Sequence, residues 1–247
     1  MAADLYLLVR PVAKYLNRPD LALMAGDRGV MYAEGADDPI RVGIAKWNLA
    51  QALSTHNEPE SVEHVSLMAV EELRPETQRE GPGQRDAFAV LGILQLMAAI
   101  AQVRQSDPWG ALSRIRSEAL PIAKRLGETN SFWTVFGPAN VTAYMVAVQV
   151  EAGEAADALH TADELDLSQL RAVERRASHL LAVARAHEAR GDDASVLLTL
   201  LRLEREAPED LRYRGTAHDL ARGILNRIRP TFAPDARALA GRMGLFA

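Results

Sequence analysis

The sequence predicts an all-α protein built from helical hairpins, and three observations support this fold class. The chain is rich in Ala, Leu, Glu and Arg, which are strong helix formers, whereas aromatic residues make up only 5% of it. β-branched and aromatic residues seldom cluster in the alternating pattern that a half-buried strand needs. Short turns with Gly, Pro, Asn or Asp separate apolar segments of roughly four helical turns.

The spacing of these turns predicts about five hairpins and a C-terminal capping pair. Turns within hairpins are expected at residues 17–20, 56–59, 106–108, 153–154 and 191–193. Longer breaks between hairpins are expected at residues 35–39, 74–84, 127–138 and 163–168. The capping pair is expected at residues 211–229 and 234–245. We therefore predict one domain over residues 1–247.

The last full hairpin matches the tetratricopeptide (TPR) pattern most closely. Counting from Ala177, a small position falls on Ala184, the turn on Gly191 and the closing proline on Pro208. Turn-to-turn distances elsewhere depart from a strict repeat of about 34 residues. We predict a right-handed superhelix of degenerate TPR-like hairpins, in which Pro11 kinks or shortens the first helix.

Composition and charge exclude several classes of protein. The net charge of −5 argues against a general nucleic-acid-binding surface. Because there is no cysteine, disulfides, thiolate zinc sites and cysteine nucleophiles are excluded, and a cytoplasmic location is expected. No signal peptide is recognisable at residues 1–10. Residues 87–103 are almost continuously apolar, but we predict a buried helix of a soluble protein there and not a membrane span.

Catalytic and metal-binding motifs are missing from the sequence. The histidines, at positions 56, 64, 160, 179, 187 and 218, form no HExxH motif and no cluster with metal-ligand spacing. There is no GxSxG elbow, Walker A loop or GxGxxG opening a helix after a strand. We expect neither enzymatic activity nor a cofactor or a metal.

Residues 130–141 (NSFWTVFGPANV) depart from the repeat pattern, since they place three aromatic residues just before a predicted helix. In one interpretation Phe132, Trp133 and Phe136 fill a gap between irregular repeats. In the other, the segment is a binding loop, and the free N–H groups of the helix N-terminus bind a polar ligand.

The predicted repeat register also identifies the side chains that line the concave surface of the array. An apolar lining with a few amides, an indole, a phenol and a guanidinium is typical of a ligand or peptide pocket. With Trp133 from the aromatic loop, the candidate ligand-binding residues are Trp47, Asn48, Gln51, Met97, Trp133, Asn140, Tyr144 and Arg185.

Several motifs resemble the TPR-type C-terminal regions of actinobacterial Xre-like helix-turn-helix transcriptional regulators. They are residues 130–141, 173–177 (VERRA), 179–181 (HLL), 207–209 (APE), 38–39 (DP) and 47–53 (WNLAQAL). The resemblance covers nearly the whole chain and implies signal sensing and transcriptional control. The DNA-binding domain of those regulators has no counterpart here, so we expect either a part of a longer regulator or a stand-alone relative.

The sequence therefore predicts a sensor that binds a small molecule or short peptide in its concave groove and passes the signal to a partner. The alternative is a TPR scaffold that binds another protein and has no small-molecule ligand. In both cases we expect no direct binding of nucleic acid and no membrane association. A homodimer is compatible with either function.

Overall fold

The computed structural model describes residues 2–16 and 18–246, and the chain is helical there without any strand. A π turn (Ile115–Ala119) lies between α6 and α7, and 3-10 turns lie at Ser131–Trp133 and Leu167–Gln169. The α-helices are α1 (Ala2–Tyr15), α2 (Pro19–Glu34), α3 (Pro39–Thr55), α4 (Pro59–Gln78), α5 (Gln84–Arg104), α6 (Pro108–Arg114), α7 (Leu120–Leu126), α8 (Pro138–Glu151), α9 (Ala155–Asp163), α10 (Val173–Ala189), α11 (Asp193–Glu206), α12 (Pro208–Tyr213), α13 (Gly215–Arg227) and α14 (Ala233–Arg242).

Helix starts are set by aspartate caps and by proline in the first turn. The Asp38 carboxylate accepts hydrogen bonds from the backbone N–H groups of Ile40 (3.1 Å) and Arg41 (3.2 Å) at the start of α3. Asp107 and Asp192 cap α6 and α11 in the same way. Because the first turn of a helix has N–H groups without helical partners, such caps fix where each helix begins.

The chain divides into two compact units, Met1–Val141 and Thr142–Ala247, and the division falls within α8. In the first unit each of the helices α1 to α5 packs against the next, and α3 also contacts α1 and α5. In the second unit α10 packs against α9, α11 and α13, and buried alanines such as Ala158 and Ala186 allow close approach.

The most apolar helix, α5, forms the centre of the first unit. It is long and apolar enough to cross a membrane, but 78% of its most apolar window is buried within the protein. It packs against α3, α4, α6 and α7. This burial confirms the predicted buried helix at residues 87–103.

All five predicted short turns lie between consecutive helices, although residue 17 of the first turn is outside the described residues. Two boundary predictions are wrong and a third is wrong in part. Pro11 does not shorten α1, which continues to Tyr15, and α4 continues through Pro75 to Gln78. A proline removes one N–H, and water can bind the carbonyl that loses its partner when the helix surface is exposed. The predicted first helix of the capping pair, at residues 211–229, is interrupted at Arg214, where the backbone is extended (φ −85°, ψ 123°).

Candidate functional site

The aromatic loop between α7 and α8 fixes one of its rings in the core of the first unit. Phe136 is fully buried, and its ring lies against Gly92 of α5. A Cβ atom at Gly92 would be 2.6 Å from Cε2 and 2.7 Å from Cε1 of that ring. Gly92 is therefore the residue that makes room for Phe136, and the gap-filling interpretation is confirmed for this aromatic residue.

Trp133 in the same loop does not fill a gap, since 62% of it is exposed. The backbone has positive φ at Phe132 (49°), Trp133 (58°) and Val135 (49°), which is unfavourable for residues with a side chain. Ser131 holds the loop by donating a hydrogen bond to Asp86 of α5 at 2.6 Å. The loop is thus a fixed structure with an exposed indole.

The N-terminus of α8 is already capped, so the prediction that its N–H groups are free for a ligand is wrong in part. The Glu128 carboxylate accepts a hydrogen bond from the backbone N–H of Ala139 at 2.9 Å. The same carboxylate occupies the space beside Gly137, where a Cβ atom would overlap it. A negative charge at this end of the helix is also favourable for the helix dipole.

Three of the predicted ligand-binding residues, Trp47, Asn48 and Gln51, lie on one face of α3. Because successive helical residues are about 100° apart, Gln51 lies between Trp47 and Asn48 and the three span an arc of about 100°. Trp47 is 7% exposed and Asn48 is 2% exposed, whereas Gln51 is partly exposed. Gln51 is therefore the most accessible of the three side chains.

Each of these three side chains has a buried nitrogen without a hydrogen-bond partner among the described residues: Trp47 Nε1, Asn48 Nδ2 and Gln51 Nε2. We call these three nitrogens the donor triad. Leaving one buried polar group without a partner costs about 1–3 kcal/mol. Apolar side chains of similar size would avoid that cost, so the triad is hard to explain by folding alone.

Arg10 of α1 belongs to the same site, although the sequence analysis did not identify it. It is buried, and its Nε donates a hydrogen bond to Asn48 Oδ1 at 2.6 Å. This bond fixes the orientation of the amide, so that Nδ2 is the atom left to donate. The available signal was spacing, because Arg10 lies seven residues after Ala3 and three before Ala13, and both alanines are buried.

The other predicted residues have different environments. In the first unit, Met97 is 4% exposed on α5, and Asn140 is fully buried, with no partner for its amide atoms within the part of the chain that the structure describes. In the second unit, the Tyr144 hydroxyl receives a hydrogen bond from Arg175 at 3.1 Å. Arg185 forms an ion pair with Glu151 at 2.7 Å, so its charge is already compensated.

The second unit also buries a histidine whose pKa is strongly lowered. His179 is 5% exposed. Burial, and next the positive charge of Arg202, lower the pKa of His179 to about 4. No group of three or more His, Asp or Glu side chains that could hold a metal ion occurs in residues 2–16 and 18–246.

Comparison with known proteins gives no relative from which a function could be inferred. No protein-family model matches the sequence, and no curated protein matches it.

Proposed function

We propose that this chain is a ligand-sensing module of a bacterial transcriptional regulator and that it binds a small molecule or short peptide at the donor triad. In this proposal the hairpins form a TPR-like superhelix, and the triad lies in its concave groove. Binding shifts the module between two states, for which the ligand must have different affinities. The proposed location is the cytoplasm.

The observation that supports a ligand site best is the donor triad. Three buried nitrogens without acceptors, on residues that share one face of α3, lower the stability of the free protein, and an arriving acceptor group recovers that loss on binding. The resemblance of the chain to sensor regions of Xre-like regulators supports the regulatory part of the proposal.

Native mass spectrometry of the protein purified from its own host tests this proposal. We expect an added mass that disappears on denaturation. The variant Gln51→Met should lose the added mass, and it should unfold at the same or a higher denaturant concentration because it removes an unpaired buried donor. Trp109→Phe is the control, since Trp109 is 72% exposed, and it should keep the added mass.

A clean protein mass would contradict the proposal. So would a marked loss of stability in Gln51→Met, because the amide would then be required for folding and not for a ligand.

The second candidate function is a protein-binding scaffold, and an apolar stripe on α1 favours it. Leu5, Leu8, Val12 and Leu16 follow helical spacing and are each more than half exposed. A purely apolar groove of about 300 Å³ lies beside them, between Leu8 and Leu21. If this function is correct, the double variant Leu8→Ser/Val12→Ser should abolish recovery of a partner protein from host lysate, whereas Gln51→Met should not.

A further inference from the structure

The donor triad restricts the chemistry of its ligand, because every group that it offers is a hydrogen-bond donor. An indole nitrogen can only donate. The Asn48 oxygen already accepts a hydrogen bond from Arg10, and the unpaired atom of Gln51 is its amide nitrogen. The complementary ligand group must therefore accept hydrogen bonds and need not donate any.

The number of donors favours a carboxylate among the acceptor groups. A carboxylate has about four acceptor sites on two oxygens, whereas a neutral carbonyl oxygen has two. Three donors on one helix face thus match one carboxylate and exceed what one carbonyl can accept. Hydrogen bonds to an ionised acceptor are also roughly twice as strong as neutral ones.

The hydrogen bond from Arg10 strengthens one donor of the triad. The two cations of helix α3 do not bear on the ligand, because Arg41 is paired with Asp4 and Asp38 and Lys46 is paired with Glu72. The hydrogen bond from the Arg10 guanidinium to Asn48 Oδ1, by contrast, polarises the amide and strengthens Nδ2 as a donor.

We propose that the ligand presents a carboxylate to Trp47 Nε1, Asn48 Nδ2 and Gln51 Nε2. This inference rests on the proposed function, since it names the ligand class of the same site. The occupant is a small organic acid or a peptide that inserts a carboxylate, and that carboxylate accepts from the indole and from both amides.

The test uses the full chain labelled with ¹⁵N and two probes that differ in charge, N-acetylglycine and its neutral amide. The three tryptophans give three indole N–H resonances, which Trp47→Phe and Trp109→Phe assign. We expect N-acetylglycine to shift the Trp47 resonance in a saturable way, at about a tenth of the concentration that the neutral amide needs. The Trp109 resonance should not move.

Gln51→Met should reduce the response of the Trp47 resonance to N-acetylglycine, and Gln51→Glu should abolish it because two carboxylates repel each other. Equal midpoints for the two probes would overturn the inference in favour of a neutral carbonyl ligand. No saturable shift with N-acetylglycine would overturn it outright.

The two proposals can fail separately. If the native mass spectrum shows an added mass without a carboxylate and Gln51→Met removes it, the proposed function stands and the carboxylate inference is wrong. If there is neither an added mass nor a Trp47 response, both are wrong.

Discussion

At the scale of single residues, the contact between Gly92 and Phe136 connects the aromatic loop to the core. The Phe136 ring fills the place that any side chain at position 92 would take, so each residue depends on the other. Such a pair should show strong coupling between mutations.

We predict that Phe136→Ala lowers the free energy of unfolding by about 3–5 kcal/mol, because it leaves a cavity in a packed core. Gly92→Ala should cost about 1–3 kcal/mol, since its methyl group would overlap the ring. In the Phe136→Ala background Gly92→Ala should cost much less, since the ring is gone.

Denaturant unfolding of the two single variants and the double variant measures this coupling. Gly241→Ala is the control, because Gly241 lies in α14 and its Cβ would meet no atom within 4 Å. Additive effects of the two core substitutions would contradict the contact.

His179 should make the free energy of unfolding depend on pH, because its pKa differs between the folded and the unfolded chain. Its pKa of about 4 in the folded chain lies below the value of about 6.5 expected after unfolding. As pH falls, the unfolded chain therefore takes up the proton first. The contribution of His179 is complete above about pH 6.5, and it is lost as pH falls towards 4.

We predict that His179→Leu removes a pH-dependent loss of stability on the order of 3 kcal/mol between pH 6.5 and 4. The measurement is the difference between the unfolding free energies of wild type and variant across that range. The control is His160→Leu, at a side chain that is 80% exposed. If the difference in unfolding free energy between wild type and His179→Leu does not change with pH, the lowered pKa of His179 is contradicted.

At the scale of elements, the cap on α8 illustrates a helix start that the sequence does not reveal. The other capped starts use an aspartate directly before the helix, whereas Glu128 reaches Ala139 from eleven residues away. Such a cap depends on how the loop folds back, so local sequence rules do not detect it.

We predict that Glu128→Ala lowers stability by about 1 kcal/mol, because the Ala139 N–H loses its acceptor and the helix dipole loses a favourable charge. Glu128→Gln should cost less, since an amide oxygen can still accept. Thermal unfolding of both variants measures this effect. Equal losses in Glu128→Gln and Glu128→Ala would show that charge, and not the hydrogen bond, carries the effect.

Helix boundaries were predictable wherever a cap and a proline coincide, as at Asp38 and Pro39 or at Asp107 and Pro108. They were not predictable where a helix tolerates an irregularity. A π turn joins α6 to α7 just before Pro121, and α4 contains Pro75. In both cases the packing of the whole helix outweighs the local preference of the sequence to end the helix there.

The candidate site was predictable to the extent that it depends on helical spacing. Trp47, Asn48 and Gln51 share a face because of their register, and the sequence contains that register. Arg10 was missed because its bond to Asn48 joins residues 38 positions apart. The capping of α8 by Glu128 was missed for the same physical reason, since tertiary contacts decide which polar groups remain unpaired.

At the scale of the whole molecule, the distribution of charge bears on nucleic-acid binding. The C-terminal part is rich in arginine, but several of these side chains are paired with acidic ones. Arg242 contacts Glu204 at 2.6 Å, and Arg227 contacts Glu188 and Asp193 at 3.2 Å each. Such pairing reduces the charge available to phosphates, and the chain as a whole is acidic.

We predict that this chain does not bind duplex DNA by itself. In fluorescence anisotropy with a labelled duplex of about 20 base pairs at about 50 mM salt, the protein should leave the signal unchanged, because few released counterions are available to drive association. The variant Glu188→Gln/Asp193→Asn/Glu204→Gln is a useful comparison, since it removes the ion-pair partners of Arg227 and Arg242 and should raise nonspecific binding slightly. Saturable binding by the wild-type chain that weakens steeply with salt would contradict the prediction and would place a DNA-contacting surface within these helices.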